Sequence, residues 1–347
     1  MVSISIVNVS VIFGKKKDIT LNAADRGLSR AQIKAEIGTV LGVHNCTLQI
    51  KEGETLVLMG LSGSGKSTLL RTVNGLTKPL RGQVKIDHED RTFYVNELRP
   101  QQLQYLRTNL VSMVFQHVAL LPWRSVADNV GLGLEIAGIA KARCRTIIME
   151  QLELVGLEEW ADKPIMELSG GMQQRVGLAR AFATGAPVLL MDEPFSALDP
   201  LIRKRLQDEL RVLQRRLKKT IIFVSHDLDE TIRMGDRIAI MRDGRIIQSG
   251  SPKDIVLTPI DSHVAEFVCH INPLTFLTAA DIMRPYTQEA AVKNNLSAMA
   301  KAETSLGDLA QAISRMPGNI GVSDKGILVG IVSTEDIVAH IANCKRY

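Results

Sequence analysis

The sequence predicts an α/β fold: a large unit with a central sheet, followed by a small second α/β unit. From Met1 to about His270, short β-branched runs alternate with amphipathic helical segments, the pattern of helices packed on a sheet. Three apolar runs are typical of buried strands: residues 55–59, 188–191 and 221–224. After Asn272 and Pro273 the pattern changes to short helices at 279–285, 306–316 and 335–343, around a strand at 327–332. We therefore place a boundary near residues 271–277.

The composition restricts the kind of partner. The chain has 347 residues, with 42 Lys and Arg against 37 Asp and Glu, a formal net charge of +5. Because this excess is small and dispersed, no nucleic-acid partner is expected. The four cysteines form no CxxC pair, which indicates neither a zinc site nor a disulfide framework. No apolar run approaches the ~18 residues that a membrane-spanning helix needs.

The beginning of the chain predicts a strand and an insertion. Residues through Asn8 alternate Val or Ile with polar residues, which indicates a strand rather than a signal peptide. Residues of about 15–42 interrupt the α/β pattern as an insertion. Within it, Ser29 is a candidate N-cap for a short helix that runs to about Ile37.

The segment after the strand at 55–59 matches the phosphate-binding pattern G-x-x-x-x-G-K-[ST] in full. It is followed directly by a helical segment, and its residues are Gly60, Leu61, Ser62, Gly63, Ser64, Gly65, Lys66 and Ser67, with Thr68 next. The glycines let the backbone curl, so that N–H groups and the helix N-terminus point at a phosphate. Lys66 is expected to reach the β- and γ-phosphates, and the Ser67 hydroxyl to bind Mg²⁺. The alternative is a chance glycine-rich turn, and the loop alone does not separate kinases, GTPases and other ATPases.

Two carboxylates end the strand at 188–191. Asp192 is the expected Mg²⁺ partner, since this ion prefers oxygen ligands and keeps several waters. Glu193 lies one residue further on, where a carboxylate could act as general base toward a water molecule. The alternative is a pair of solvated acids at a strand end.

A Ser-Gly-Gly turn precedes this strand. Ser169, Gly170 and Gly171 open an amphipathic helix, whose N-terminus presents backbone N–H groups. Taken alone, the turn could be an ordinary capped helix. This turn precedes Asp192 and Glu193 at the spacing of one family of ATPases, and that combination of motifs is highly specific for the family.

Together these segments resemble the motifs of the ABC ATPases. The phosphate loop resembles their Walker A loop, residues 188–193 their Walker B strand, and residues 168–175 their signature. Gln116 matches the Q-loop glutamine, Asp199 ends a segment similar to the D-loop, and His226 matches the switch histidine. Phe13 occupies the position of the aromatic that stacks on adenine, where other members often carry Tyr. Phe13 could instead be a core residue.

The resemblance implies ATP and Mg²⁺ as cofactors and a mechanism that needs two copies. Two ATP molecules are sandwiched in a homodimer, each between the phosphate loop of one copy and residues 169–171 of the other; the D-loop Asp199 belongs to the same nucleotide site. Glu193, His226 and Gln116 are the implied catalytic residues, and Gln116 joins Ser67 and Asp192 at the metal. The resemblance also implies that Gln116 and the segment after it transmit the closure of the dimer to a membrane partner.

The resemblance extends to one group of ABC importers. Residues 27–33 and 41–43, the run from Met113 to Pro122 and residues 128–130 are similar to those of quaternary-amine uptake systems. Residues 267–268, 272–274 and 281–283 look most like those of the choline importers. Glycine betaine and proline betaine are the alternative solutes. This implies a peripheral protein on the cytoplasmic face of the inner membrane, with permease subunits and, indirectly, a periplasmic or lipid-anchored solute-binding protein.

The resemblance also implies a domain plan. We expect an ABC nucleotide-binding domain over 1–270, with an α/β core, an antiparallel β subdomain and a helical signature subdomain at about 117–185. Residues 271–347 are expected to be a linker and one CBS-like α/β module, in which residues 327–337 carry the resemblance. Two other functions compete: a non-transport ABC ATPase that acts on nucleic acid or ribosomes, and a nucleotide-binding regulator with little turnover.

Overall fold

The computed structural model describes residues 2–269, 271–286 and 296–344. By their contacts, the described residues form two compact units. The first contains the residues up to 227 together with 234–249, and the second contains 228–233 and the residues from 250 onward. The first unit carries every residue that the motifs single out.

The first part of the chain is built on two sheets. Its strands, in chain order, are β1 (Val2–Phe13), β2 (Val40–Ile50), β3 (Thr55–Met59), β4 (Arg81–His88), β5 (Arg91–Tyr94), β6 (Val111–Val114), β7 (Val188–Asp192), β8 (Thr220–Val224), β9 (Arg237–Arg242) and β10 (Arg245–Gly250).

The helices of the same part of the chain follow in sequence order. They are α1 (Lys17–Asp25), α2 (Arg30–Ile37), α3 (Lys66–Val73), α4 (Pro100–Tyr105), α5 (Val126–Ile136), α6 (Lys141–Leu154), α7 (Gly170–Ala183), α8 (Pro200–Leu217), α9 (Leu228–Met234), α10 (Pro252–Leu257) and α11 (Ser262–Val268). Short 3-10 segments lie at Val95–Glu97, Glu158–Trp160 and Ile165–Glu167, and a π-helical turn at Leu106–Leu110.

One sheet has the strand order β10-β9-β3-β8-β7-β6. Strand β3 pairs in parallel with β8 and β9, and β7 pairs in parallel with β8 and β6. Leu58 on β3 and Asp192 on β7 both lie opposite Val224 on β8. The carboxyl ends of these three strands are therefore level, and the loops that follow them meet at one edge of the sheet.

The second sheet is antiparallel where its pairings are defined, with the order β2-β1-β4-β5. Alternate residues of a strand face opposite sides, and the core follows this rule. Leu56 and Leu58 of β3 pack in one cluster with the antiparallel sheet, including Ile4 and Val84. Val57 packs in the other cluster, which contains the helices α5, α6 and α7. The predicted α/β core, antiparallel β part and helical part are all present.

The insertion folds as two helices, α1 and α2, between β1 and β2. The predicted helix after Ser29 is confirmed: Ser29 Oγ accepts from the Gln32 backbone N–H, and the Gln32 side chain accepts from the Ser29 N–H. Helix α1 was not predicted. A small buried cluster holds both helices against the strands, and it consists of Ile12, Ala23, Ala24, Ile33 and Leu41. The insertion is therefore a packed part of the first unit.

The second unit ends in a small α/β tail with its own buried cluster. After α12 (Ala279–Ile282), its sheet has the order β11-β14-β13-β12. Its remaining elements are β11 (Arg284–Pro285), β12 (Leu296–Lys301), α13 (Leu306–Arg315), β13 (Asn319–Asp324), β14 (Ile327–Val332) and α14 (Thr334–Cys344). The predicted strand at 327–332 and the helices near 306–316 and 335–343 are confirmed. In the predicted helix over 279–285, only residues 279–282 are helical, and β12 and β13 were not predicted. Across the described residues, no helix combines the length and the apolarity that crossing a membrane requires.

Candidate nucleotide site

The phosphate loop lies between the end of β3 at Met59 and the start of α3 at Lys66. Its two outer glycines have positive φ angles, 145° at Gly60 and 107° at Gly65. A β-carbon at Gly60 would lie 2.2 Å from the Met241 carbonyl oxygen, and one at Gly65 would lie 2.7 Å from the Gly42 carbonyl oxygen. Backbone thus approaches the loop too closely at both ends for any residue but glycine.

The carbonyl oxygens of the loop accept hydrogen bonds from its surroundings. Lys66 Nζ donates to the carbonyls of Gly60 (2.7 Å) and Leu61 (3.0 Å). The Gly244 N–H donates to the Ser64 carbonyl at 3.0 Å, and Arg30 Nη1 donates to the Gly63 carbonyl. With these carbonyls bonded, the curled loop can direct its N–H groups at an anion. The Ser64 hydroxyl, buried and without a hydrogen-bond partner among the described residues, is a further donor for a phosphate oxygen.

Lys66 is the buried cation of this loop. Burial lowers the pKa of its ammonium group, and the nearby carboxylates of Glu193 and Asp192 act in the opposite direction. Desolvation makes the charged ammonium unfavourable on its own and strengthens its attraction to an anion. Lys66 is therefore placed as a phosphate ligand would be.

Two of the predicted metal ligands are in contact. Ser67 Oγ donates to Asp192 Oδ1 at 2.6 Å, and Asp192 is fully buried. Arg71 Nη2 lies 3.2 Å from Asp192 Oδ2. A hydroxyl next to a carboxylate is an all-oxygen donor set of the kind Mg²⁺ prefers. Within the described ranges there is no group of three or more His, Cys, Asp or Glu that could hold a metal ion.

The predicted catalytic residues meet at Glu193. Its Oε2 accepts from Gln116 Nε2 at 3.2 Å, and its Oε1 lies 3.5 Å from His226 Nδ1. Glu193 has a positive φ of 49° and donates its N–H to the Val224 carbonyl at 3.1 Å. A non-glycine residue with a positive φ carries backbone strain. This backbone conformation places the carboxylate just beyond the end of β7. The side chain of Glu193 is 20% exposed, enough for a water molecule to reach it.

Phe13 is not a core residue: it is 46% exposed at the end of β1. Its ring lies over Gly42, where an added β-carbon would be 2.9 Å from Phe13 Cε2 and 3.1 Å from Thr68 Cγ2. Thr68 directly follows the phosphate loop. An exposed aromatic face therefore stands beside the loop, as a stacking residue requires.

The signature turn is exposed and well defined. Ser169 caps helix α7 and accepts from the Met172 N–H at 3.4 Å, and a β-carbon added at Gly170 would meet no atom within 4 Å. Gln174 Nε2, which is buried, donates to the Pro194 carbonyl at 2.7 Å and so ties α7 to the loop after Glu193. No hydrogen bond or ion pair within the described part of the chain joins Ser169 to the phosphate loop, so the two parts of the predicted sandwich stay separate in one copy.

Asp199 has a structural partner of its own. Its Oδ1 accepts from the Ile202 N–H at 3.1 Å and caps helix α8. Two residues near the loop were not predicted. Arg71 lies four residues after Ser67 on α3, and this spacing could have placed it on the same face. Arg30 comes from the insertion, and no local pattern signals its contact.

The chain is similar to known proteins in sequence and in fold. The family profile described as ABC transporter matches residues 43–196. A second profile, described as an AAA domain, putative AbiEii toxin, type IV TA system, matches residues 162–232.

Two relatives and one solved structure are informative. The glycine betaine/proline betaine transport system ATP-binding protein ProV of Salmonella typhimurium is 46% identical over 82% of this chain and 70% of its own length. The trimethylamine N-oxide transport system ATP-binding protein TmoW of Pelagibacter ubique is 40% identical over 95% of both chains. The dimeric post-hydrolysis structure of the ATP-binding cassette MJ0796, bound to ADP and phosphate, superposes with a TM-score of 0.61 at 30% identity, over 72% of this chain and 98% of that one.

Proposed function

This chain belongs to the ABC transporter ATP-binding subunits and is an ATPase of that family, and from this premise we propose that it powers the uptake of a small quaternary amine. The observation that carries the solute class is the pair of relatives named for betaines and for trimethylamine N-oxide. These compounds share a compact, fully substituted, positively charged nitrogen. The alignment with the second relative includes the tail, so the likeness is not confined to the ATPase core.

The choice of solute within this class is a narrower proposal. The names of the relatives favour glycine betaine or proline betaine. Choline, which the local sequence resemblance favours, stays a prediction. Recognition of the cationic nitrogen requires an aromatic cage in the solute-binding protein, not in this subunit.

The proposed chemistry uses the residues gathered at the sheet edge. Lys66, the loop N–H groups and Ser64 hold the triphosphate. Ser67, Asp192 and Gln116 would hold Mg²⁺, which neutralises charge on the β- and γ-oxygens when bound. Glu193 takes a proton from the attacking water as it approaches the γ-phosphate. His226, 3.5 Å from Glu193, orients that water and the terminal phosphate.

The proposed assembly is a homodimer on a membrane partner. Ser169, Gly170 and Gly171 of a second copy complete the site around the triphosphate, with Asp199 nearby. The dimeric cassette structure supports this arrangement. We place the dimer peripherally on the cytoplasmic face of the inner membrane, bound to permease subunits that receive solute from a solute-binding protein.

The test is ATPase activity of the chain reconstituted with its permease and solute-binding protein in vesicles. We expect stimulation by glycine betaine, proline betaine or choline, tested separately, and none by an amino acid such as leucine. Equal activity with every compound, or with none, would refute the proposed solute class. The compound that stimulates at the lowest concentration identifies the solute.

Replacing Phe13 tests the proposed adenine contact. We expect Phe13→Ala to raise the KM for ATP about tenfold, because stacking on a base contributes about 1–3 kcal/mol. Phe13→Tyr should keep the wild-type KM. Tyr94→Ala, which removes an aromatic that is 40% exposed on the same sheet, is the matched control. If Phe13→Ala and the control behave alike in steady-state kinetics, Phe13 does not stack on the nucleotide.

We further propose that residues 271–347 form a linker and a single CBS-like module with a supporting rather than catalytic role. Support comes from the separate core of the tail, whose buried members run from Leu277 to Ile337. Deleting residues 278–347 should therefore leave basal ATPase activity close to that of the full chain. A folded, soluble truncated protein without ATPase activity would contradict this.

A further inference from the structure

The insertion touches the phosphate loop through one side chain. Arg30 is the first residue of α2, and its Nη1 donates to the carbonyl of Gly63, in the middle of the loop. A guanidinium at a backbone carbonyl makes a charge-assisted hydrogen bond, about twice as strong as a neutral one.

With this contact, four carbonyl groups of the phosphate loop accept hydrogen bonds. The carbonyls of Gly60 and Leu61 bond to Lys66, within the loop itself, and the carbonyl of Ser64 bonds to the turn between β9 and β10. The Gly63 carbonyl bonds to the insertion. Gly63 has a positive φ of 78°, and a β-carbon there would meet no atom within 4 Å. Packing does not fix this peptide, and two hydrogen bonds hold it: Arg30 donates to the Gly63 carbonyl, and the Ser64 N–H donates to the Leu61 carbonyl at 3.1 Å.

Both helices of the insertion are anchored: Ile33 of α2, the helix that presents Arg30, is fully buried, and α1 is held by hydrogen bonds. Asp25, at the end of α1, receives two hydrogen bonds from Arg81 at 2.6 and 2.7 Å and lies 2.8 Å from His44 Nε2. Arg245 Nη2 donates to the Ala24 carbonyl at 2.9 Å. The insertion therefore presents Arg30 from a fixed position.

A second charged group, Asp243, acts on the guanidinium. Burial lowers the pKa of Arg30, and the charge of Asp243 opposes that effect. Asp243 lies in the β9–β10 turn, next to Gly244, whose N–H donates to the Ser64 carbonyl. The turn and the insertion thus hold adjacent peptides of the phosphate loop.

We propose that Arg30 is a positioning residue for nucleotide binding: by holding the Gly63 carbonyl toward the insertion, it keeps the loop N–H groups directed at the phosphates. This proposal rests on the proposed nucleotide site. It gives the insertion a role in ATP affinity, beyond joining β1 to β2.

The test is equilibrium binding of a fluorescent ATP analogue and of its ADP counterpart to the purified full-length chain. We expect Arg30→Ala to weaken both about tenfold, the value of one hydrogen bond to a charged group. Arg30→Lys should recover part of the affinity. The KM for ATP should rise by about the same factor. Lys34→Ala, which removes an exposed charge from the same helix, is the matched control.

The outcomes separate the two proposals. Wild-type affinity in Arg30→Ala would overturn the role of Arg30. A loss confined to ATP would also overturn it, since that would indicate direct contact with the γ-phosphate. Lys66→Ala should bind neither nucleotide, and normal binding by that variant would instead refute the nucleotide site itself.

If Arg30→Ala melts the insertion, Asp243→Asn gives an independent measurement. It leaves α2 intact, and Asn tolerates the positive φ of 51° at this position. Its affinity for both nucleotides should fall, by a smaller factor than the about tenfold expected for the loss of Arg30. Unchanged affinity in this variant would overturn the proposal.

Discussion

Glu193→Gln is expected to abolish turnover while leaving nucleotide binding intact. A positioned general base contributes about 100-fold or more to the rate, and glutamine cannot accept the proton. Glutamine retains an oxygen for the hydrogen bond from Gln116 at the observed 3.2 Å and can adopt the same strained backbone. We therefore expect ATPase activity to fall at least about 100-fold and ATP to hold the variant as a dimer, measured by light scattering.

The control for this variant is Glu135→Gln. It removes a carboxylate that pairs with Arg124 at 2.6 Å in the helical part, away from the sheet edge. Its turnover should equal that of the wild type. Normal ATP hydrolysis by Glu193→Gln would show that another group takes the proton, and a failure to bind ATP would show that Glu193 serves the fold.

Gly170→Asp should abolish ATP-driven dimerisation without harming the fold of the single copy. A β-carbon at Gly170 meets no atom within 4 Å, and the residue is the first of α7. A carboxylate at a helix N-terminus is favourable by about 0.3–1 kcal/mol, so the melting temperature should not fall. In the dimer, however, the new charge would face the γ-phosphate of the opposing site. Like charges at close range repel strongly when water is excluded.

The measurement combines this change with Glu193→Gln, so that ATP would otherwise accumulate the dimer. We expect the double variant to bind ATP but remain monomeric in light scattering. Ala142→Asp places the same charge in the first turn of α6, where it is exposed, and should leave dimerisation unchanged. A double variant that dimerises with ATP like Glu193→Gln alone would rule out the head-to-tail sandwich.

The phosphate loop and the two carboxylates of the site could be predicted because each motif is a short continuous segment of the sequence. Residues 60–67 carry glycine where the backbone needs positive φ angles, and Asp192 and Glu193 follow directly from a buried strand. Parallel pairing then brings the strand ends level, as Leu58 and Asp192 opposite Val224 show. Any sequence that places these motifs at the ends of neighbouring parallel strands brings them together.

The contacts of the insertion could not be predicted in this way. Arg30 and Gly63 lie 33 positions apart, and nothing near either residue encodes the contact. The two helices differ instructively: α2 begins with the Ser29 capping box, whereas α1 follows Lys16, whose side chain makes no capping bond. Helix α1 therefore lacks a start signal, and its stability depends on packing.

Strand β12 was also not predicted, for a different reason. Its sequence, Leu296–Lys301, contains no β-branched residue, and two of its six residues are alanine. Intrinsic preference argues against a strand there. The pairing with β13 overrides that preference, because residues of both strands contribute to the buried cluster of the tail. Tertiary packing rather than local sequence decides this element.

The left-handed backbone at Glu193 sets the stability of the fold against ATPase activity at this position. A glycine at this position would relieve about 1 kcal/mol of strain, part of which the greater freedom of glycine in the unfolded chain would offset. It would also remove the carboxylate that accepts from Gln116. Selection for thermal stability alone would therefore favour glycine at this position and yield an inactive protein. Selection for ATP hydrolysis retains the glutamate.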